Sequence, residues 1–414
     1  MLFALMLLLV NVSVGAQSLT SKIFAGREFT QSDAILVSDA QGQVLFEWRA
    51  EQAMVPASLV KLLTTMIALE KWQPSYQFKT EFYRLGDQLW VKGYGDPYLT
   101  SEELDVIVQA LSTIGLDGIN SVHIDNSYFT SDITVPGRSE VSDPYNAPVS
   151  AVAINFNTAT LKKEVDKLLT AEPQTPLTPT AIKLAKSITP LNSQVTSKSV
   201  RINLRDKTNA QSHFAELLIA KSALKISDVY LDQNLPNGAQ LIYQHKNSKR
   251  LQSVLNATLL YSNNFIANQV FLKLAELNNG LPLSFALSES YVSDLLQQKF
   301  AWQAATIVDG SGLSRDNRLS ANQIDEVLQE LYPHQKLLKK YDLNLGAAKK
   351  AHAYAKTGTF SDVSNYAGFL HVANQEYRFV FMFNRKVPYG YREQLLKTLA
   401  SDLLNPQESV VGQR

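Results

Sequence analysis

Ser58 and Lys61 stand three residues apart in PASLVKLLTTMIALE, residues 56–70. A serine hydroxyl is a poor nucleophile until a neighbouring group takes its proton. On a helix, positions i and i+3 share a face, so the lysine amine can reach the hydroxyl. The remainder of the segment is apolar nearly all round, through Leu59, Leu62, Leu63, Met66, Ile67 and Leu69. Such a helix belongs in a core, and burial drives a lysine toward its neutral, proton-accepting form. Spacing alone is a weak signal: Ser222 and Lys225 repeat it in KSALK, where the flanking lysines point to an exposed helix.

Two more groups have chemistry to offer. Ser262-Asn263-Asn264 falls in the short break between two apolar-periodic segments, RLQSVLNATLLYS and NFIANQVFLKLAEL, where polar side chains can face a cleft. Ser320 and Asn322 share its spacing, but Ser320 reads as a helix cap, with Gln323 completing a capping box. Lys356-Thr357-Gly358-Thr359 lies on the expected inner strand of a meander. Its lysine and hydroxyl suit a carboxylate, and its glycine lets another backbone come close. Backbone N–H groups of that strand and of Ser58 can form an oxyanion hole. Taken singly, the second group is equally a polar turn and the third an ordinary strand end. In this order, S-x-x-K, a serine–asparagine element and K-T-G form the signature of penicillin-binding proteins and serine β-lactamases. Ser58 then attacks and Lys61 activates it.

The elements that must position these residues are legible in outline. AILVSDAQGQVLFEW is two β-rich runs joined by a turn at residues 40–43. The Ser58 helix ends near Trp72, before Pro74. Alternating segments YQFKTEFYRL and DQLWVKGYG follow, then a helix from Thr100 with a capping box to Glu103, then INSVHIDNSYF. AEPQTPLTPT, residues 171–180, reads as a linker or exposed loop, and KNSKR at 246–250 as a solvated helix entry. AHAYAKTGTF, NYAGFLHVA and EYRFVFMFN form an antiparallel meander, and YREQLLKTLASDLL carries a leucine stripe to lay on it. The first hairpin and the final meander can join as one sheet, with the Ser58 helix behind it. That leaves residues 75–245 as an insertion.

Composition narrows the function. A balance of 39 basic against 38 acidic residues gives no electrostatic case for nucleic acid. The absence of cysteine removes disulfides, thiolate metal sites and a cysteine nucleophile. Six scattered histidines show no metal-ligand spacing; His352 reads as a surface or strand residue. No metal or cofactor is expected. MLFALMLLLVNVSVGAQS reads as an export signal, residues 1–16, too short and too interrupted for a membrane span, although no basic residue precedes Lys22.

With these motifs in place, the chain resembles the low-molecular-mass class C penicillin-binding proteins, D-alanyl-D-alanine carboxypeptidases that also act as endopeptidases. The resemblance extends to GYGDPYLT (93–100), YNAPVSAVAINFN (145–157) and DGSGLSRDNRLS (309–320). It implies an α/β (α+β) class: a β-lactamase/transpeptidase-like domain with antiparallel sheet and helices, residues 17–74 plus 246–414, interrupted by a mixed α/β insertion at 75–245. It implies a bacterial enzyme of the periplasm or cell-wall compartment, with peptidoglycan peptides as substrates, β-lactams as covalent inhibitors and no transmembrane anchor. By position, Ser58 resembles the acylated nucleophile, Lys61 the base, Ser262 the proton relay and Asn264 the residue that positions the substrate amide. Lys356 and Thr357 would bind the terminal carboxylate or steer the relay. Gly358 and Thr359 would line the cleft, Thr359 lending its N–H to the oxyanion hole, and Arg315 would reach the stem peptide. The chain departs from the family at Ala267-Asn268, where alanine-glutamate is frequent, in a shorter insertion, and at Ser361-Asp362.

Two rivals remain from sequence, and a third lacks its motif. A serine β-lactamase would use the register Tyr261-Ser262-Asn263, with tyrosine as relay. A non-catalytic wall scaffold or penicillin-acylated sensor would keep the pocket without turnover. An α/β-hydrolase would need a G-x-S-x-G elbow, which DGSGL does not supply.

Overall fold

The computed structural model describes residues 23–404, apart from 165–166, 189–195, 223, 277–281 and 347–349. The expected export signal lies outside the described residues. The chain forms two compact units: residues 1–66, 302–306 and 315–414 make the first, and residues 67–301 with 307–314 make the second. This contact boundary assigns residues 246–301 to the unit of the middle of the chain. The expected division at 74 and 246 follows motif order instead.

The first unit is built on a six-stranded antiparallel sheet. Its order is Lys339–Asn344, Lys350–Phe360, Val363–Val372, Gln375–Phe383, Asp33–Asp39 and Val44–Trp48. The first hairpin and the final meander therefore do join, as the sequence implies. The hairpin turns where Asp39 Oδ1 accepts from the amides of Gln41 and Gln43, at 2.9 and 2.8 Å, an Asx-type turn. Phe379 to Phe383 is buried at every position because both faces of the sheet are covered. Alternate side chains point to opposite faces. Phe379, Phe381 and Phe383 share a core with Leu395, Leu396, Leu399 and Leu403 of the closing helix Tyr391–Leu404. On the other face packs the helix Ala321–Leu331, opened by the Ser320–Gln323 capping box. Arg378 pins that helix with two 2.9 Å bonds to Asp325, which also accepts from Ser38 Oγ at 2.8 Å.

The second unit holds a mixed five-stranded sheet ordered Gln240–Arg250, Gln77–Leu85, Gln88–Gly93, Ser121–Asp125 and Asp228–Gln233. Its first two pairings are antiparallel and its last two parallel. A three-stranded sheet (Lys167–Thr170, Thr158–Glu164, Thr196–Asn203) and the helices Leu251–Tyr261 and Asn264–Leu274 complete the parts that bear on function. The class is the α+β arrangement expected from sequence.

Four local expectations fail in whole or in part, each for a tertiary reason. KNSKR does lead into a helix, Leu251–Tyr261, but as the end of a strand, because residues 240–250 pair with 77–84. The Thr100 side chain makes no cap bond. Glu103 instead accepts from His245 Nε2 at 2.9 Å and from the amide of Ser248 at 3.1 Å. Residues 171–180 are no linker: Thr175 and Thr178 are buried, and Thr178 caps the helix Pro179–Ala185. Finally, the helix before Lys225 stops at Lys221, so Ser222 and Lys225 share no helical face.

Candidate active site

In the first unit, Lys61 Nζ lies 3.1 Å from Ser58 Oγ. Ser58 sits in a 3₁₀ turn, Ala57–Leu59, that runs straight into the helix Val60–Trp72. Ala57 holds a φ of +47°. A left-handed alanine is strained and persists only where its surroundings impose it, and here they do. The Asn365 carboxamide donates to the carbonyls of Val55 and Pro56 at 2.9 and 3.0 Å. Its oxygen accepts from the amide of Phe383 at 3.0 Å. Asn384 adds a 2.7 Å bond from the Val55 amide and donates back to the Val55 carbonyl at 3.1 Å. The kink presents Ser58 half-buried while Lys61 is fully buried.

The strand of Lys356 runs against that turn. Gly358 pairs with Asn365 on the next strand, and a methyl group on Gly358 would lie 2.5 Å from the Pro56 carbonyl and 3.2 Å from the Ser58 nitrogen. Glycine is therefore required by close approach. Lys356 is buried, and its Nζ donates to the Thr357 carbonyl at 2.9 Å. Burial, reinforced by the charge of Arg392, pulls its ammonium down to about 7. Arg392, from the closing helix, also donates to Thr359 Oγ1 at 2.9 Å. Arg315 forks onto Asp362, and its guanidinium stands 4.5 Å over the Phe360 ring. The pair is half exposed, and Arg315 holds the Asp362 carboxyl below its ordinary range.

In the second unit, Ser262 ends its helix in the left-handed conformation, φ +53° and ψ +39°. Asn263 is the cap of the next helix, accepting from the Ile266 amide at 3.0 Å. Asn264 Nδ2 donates to the Tyr145 carbonyl at 3.2 Å. The side chain of Asn263 is thus occupied in capping, while Tyr261 is 75% exposed at the helix end. This disfavours the Tyr261-Ser262-Asn263 register.

The DGSGLS element is a knot around one carboxylate. Asp309 accepts from the amides of Ser311, Gly312, Leu313 and Ser314 and from Ser311 Oγ, at 2.7–3.2 Å. Asn268 explains one departure from the family pattern: buried, it accepts from the Gly310 amide at 3.0 Å. The helix passes so close that a methyl on Gly310 would meet the Ala267 carbonyl at 2.6 Å.

Of the expected site residues, Ser58, Lys61, Lys356, Thr357, Gly358, Thr359 and Arg315 fall in the first unit, and Ser262 and Asn264 in the second. Sequence reasoning missed Ala57, Asn365, Asn384 and Arg392. The asparagines that open NYAGFLHVA and close EYRFVFMFN hint at Asn365 and Asn384; no sequence signal points to Ala57 or Arg392. Among the described residues no cluster of three or more His, Asp or Glu could hold a metal ion.

The sequence profile of the D-Ala-D-Ala carboxypeptidase 3 (S13) family matches residues 17–200 and 189–401. A D-alanyl-D-alanine carboxypeptidase from Actinomadura sp. (strain R39) is 27% identical over 157 residues, 34% of this chain and 29% of that protein. The D-alanyl-D-alanine carboxypeptidase DacB of Haemophilus influenzae is 23% identical over 391 residues, 81% of each chain. The crystal structure of that organism's penicillin-binding protein 4 (dacB) superposes with a TM-score of 0.70 at 21% identity, covering 93% of this chain and 98% of the other. A penicillin G-acylated predatory endopeptidase from Bdellovibrio bacteriovorus is similar at a TM-score of 0.51 and 14% identity, covering 90% and 92%.

Proposed function

Since the chain belongs to the D-Ala-D-Ala carboxypeptidase 3 (S13) family, a family of serine peptidases, we propose that it removes the terminal D-alanine from peptidoglycan stem peptides and cleaves D-alanyl cross-links through a Ser58 acyl-enzyme. The observation that carries this reading is Lys61 Nζ at 3.1 Å from Ser58 Oγ on a kinked helix entry.

In this reading Lys61 takes the hydroxyl proton as Ser58 Oγ adds to the carbonyl carbon of the penultimate D-alanine. The amides of Ser58 and Thr359 stabilise the oxyanion. Collapse breaks the C–N bond, and the departing amine takes up a proton; Ser262 has the relay role and Asn264 the amide-positioning role. Water then splits the ester and regenerates Ser58. Lys356, Thr357 and Thr359 hold the terminal carboxylate, and Arg315 with Asp362 faces the stem. Cross-link cleavage is the same step with a larger amine as leaving group. A β-lactam opens onto Ser58 and stays.

The family's motif order supports 17–74 with 246–414 as catalytic and 75–245 as insertion. The apolar leader at residues 1–16 supports export to the compartment where peptidoglycan lies. No helix among the described residues is long and apolar enough to cross a membrane.

The test is intact-protein mass after brief exposure to benzylpenicillin, for the mature chain and for Ser58→Ala, followed by peptide release from cross-linked and uncross-linked muropeptides. A stable adduct on the unmutated chain alone, with D-alanine release, supports the reading. Drug hydrolysis without an adduct makes the protein a β-lactamase; unchanged drug and mass make it a scaffold.

A further inference from the structure

The end of the Lys356 strand borders a cavity of about 560 Å³ within the first unit. That is the size of an ordinary small-ligand site. Its walls include Thr359, Ser361, Ser364, Lys386, Tyr389 and Arg392. Ser58, Lys61 and Lys356 do not line it, so the acylation chemistry leaves it without a use.

Thr359 joins this cavity to the chemistry. Alternation along the strand sends Lys356 and Thr359 to opposite faces of the sheet. On the Thr359 side, one terminal nitrogen of Arg392 donates to Thr359 Oγ1 at 2.9 Å and to the Asn365 carbonyl at 3.3 Å. A hydroxyl that accepts from a guanidinium keeps its own proton to donate, and a carboxylate laid beside the strand end can take it. In the peptidase reading that carboxylate belongs to the leaving residue. The side chain of the same residue then starts at the cavity wall.

The lining states the charge of what it would hold. Three cations, Arg385, Lys386 and Arg392, face one acid, Glu393. Arg385 is committed to Asp33, with bonds of 2.7 and 3.1 Å. Arg392 gives its Nε to Glu393 at 3.1 Å, and its second terminal nitrogen has no hydrogen-bond partner among the described residues. Lys386 is exposed and has no ion-pair partner among the described residues. Tyr389 stands fully exposed. A guanidinium edge and an ammonium left over after internal pairing, with serine hydroxyls beside them, are donors for an anion. On an amino acid that anion is a side-chain carboxylate.

We propose that this cavity receives the side chain of the leaving residue, with Lys386 and the free edge of Arg392 selecting a second carboxylate on it and Tyr389 covering its aliphatic part. This rests on the peptidase reading, in which Thr359 holds the first carboxylate. Arg392 touches Thr359 with one terminal nitrogen and offers the other to the cavity, so two carboxylates joined by one short side chain can be held together. The methyl group of D-alanine fills little of such a volume. The cavity therefore favours leaving residues that are longer and more acidic than D-alanine.

The test uses three synthetic peptides that share a diacetyl-lysyl-D-alanyl half and differ only in the leaving residue: D-alanine, D-glutamine or D-glutamate. On the unmutated enzyme D-glutamine should leave at least as readily as D-alanine. D-Glutamate should exceed D-glutamine by about three- to tenfold in kcat/KM, through KM, as expected for a charge-assisted hydrogen bond. Added salt should shrink that ratio. Lys386→Gln should bring it close to one and Lys386→Arg should keep it, and both variants should melt like the unmutated protein because Lys386 is exposed. A ratio near one on the unmutated enzyme, a ratio that survives Lys386→Gln, or a sharp loss from D-alanine to D-glutamine would overturn the proposal. D-Alanine release accompanied by any of those results defeats the subsite and spares the peptidase reading. No release from any of the three peptides defeats both.

Discussion

The carboxamide of Asn365 donates to the carbonyl of Pro56 at 3.0 Å, across 309 residues of chain. That bond and its twin to Val55 turn the backbone at Ala57 into the left-handed region and so aim Ser58. A nucleophile set this way depends on a residue that carries no reactive group.

Asn365→Ala leaves the Phe383 amide without its side-chain partner, the Val55 carbonyl with Asn384 and the Pro56 carbonyl with the Leu59 amide. Leaving a buried donor unsatisfied costs about 1–3 kcal/mol. Thermal denaturation should show the loss. The benzylpenicillin acylation rate, followed where the variant is still folded, should drop at least tenfold. A destabilised variant that acylates at the normal rate would limit Asn365 to a structural part.

Gly358→Ala places a methyl 2.5 Å from the Pro56 carbonyl, and backbone cannot give way as a flexible side chain can. Overpacking of this kind costs about 1–3 kcal/mol. Displacing the strand from Ser58 also spoils an oxyanion donor, so acylation should slow by roughly a hundredfold. Stopped-flow acylation against a chromogenic β-lactam measures this directly; an unchanged rate would remove the strand from the oxyanion hole.

Lys356 sits near neutrality because burial and Arg392 disfavour its ammonium form. A bound carboxylate favours that form and raises the pKa. Between pH 8 and 9 the free site is largely neutral and the occupied site charged, so binding should take up a proton. Calorimetry of Ser58→Ala with an unreactive D-Ala-D-Ala peptide, repeated in buffers of different ionisation heat, would show it. Arg392→Gln removes the repelling charge, shifts the free lysine upward and should shrink the uptake at pH 8. Heats independent of buffer would place the carboxylate elsewhere.

His213 is buried in the second unit with Nδ1 2.7 Å from Thr178 Oγ1, while Nε2 has no hydrogen-bond partner among the described residues. Burial pushes its pKa from 6.5 down to about 4. In that window the unfolded chain binds a proton that the folded chain refuses, so stability falls as pH drops from 6.5 and levels off below 4. The loss is up to about 3 kcal/mol. Melting curves at pH 7.5 and 4.5 should separate by less in His213→Gln than in the unmutated protein. Equal separations would assign the acid sensitivity to other groups.

The sequence by itself determined what depends on near neighbours. The hairpin at Asp39, the Ser320–Gln323 box and the helix break at Ser262 each rest on side chains a few residues apart, and all formed. So did the i, i+3 approach of Lys61 to Ser58. The tertiary structure decided what depends on desolvation and distant partners. Glu103 left its expected cap because His245 and Ser248 offered it a buried network. KNSKR became strand because a pairing edge was there to receive it. Lys356 lost its firm positive charge only once the fold buried it beside Arg392. Caps and periodicities act through local geometry and are written in the chain. The strain at Ala57 and the pKa of Lys356 arise from groups that meet only after folding.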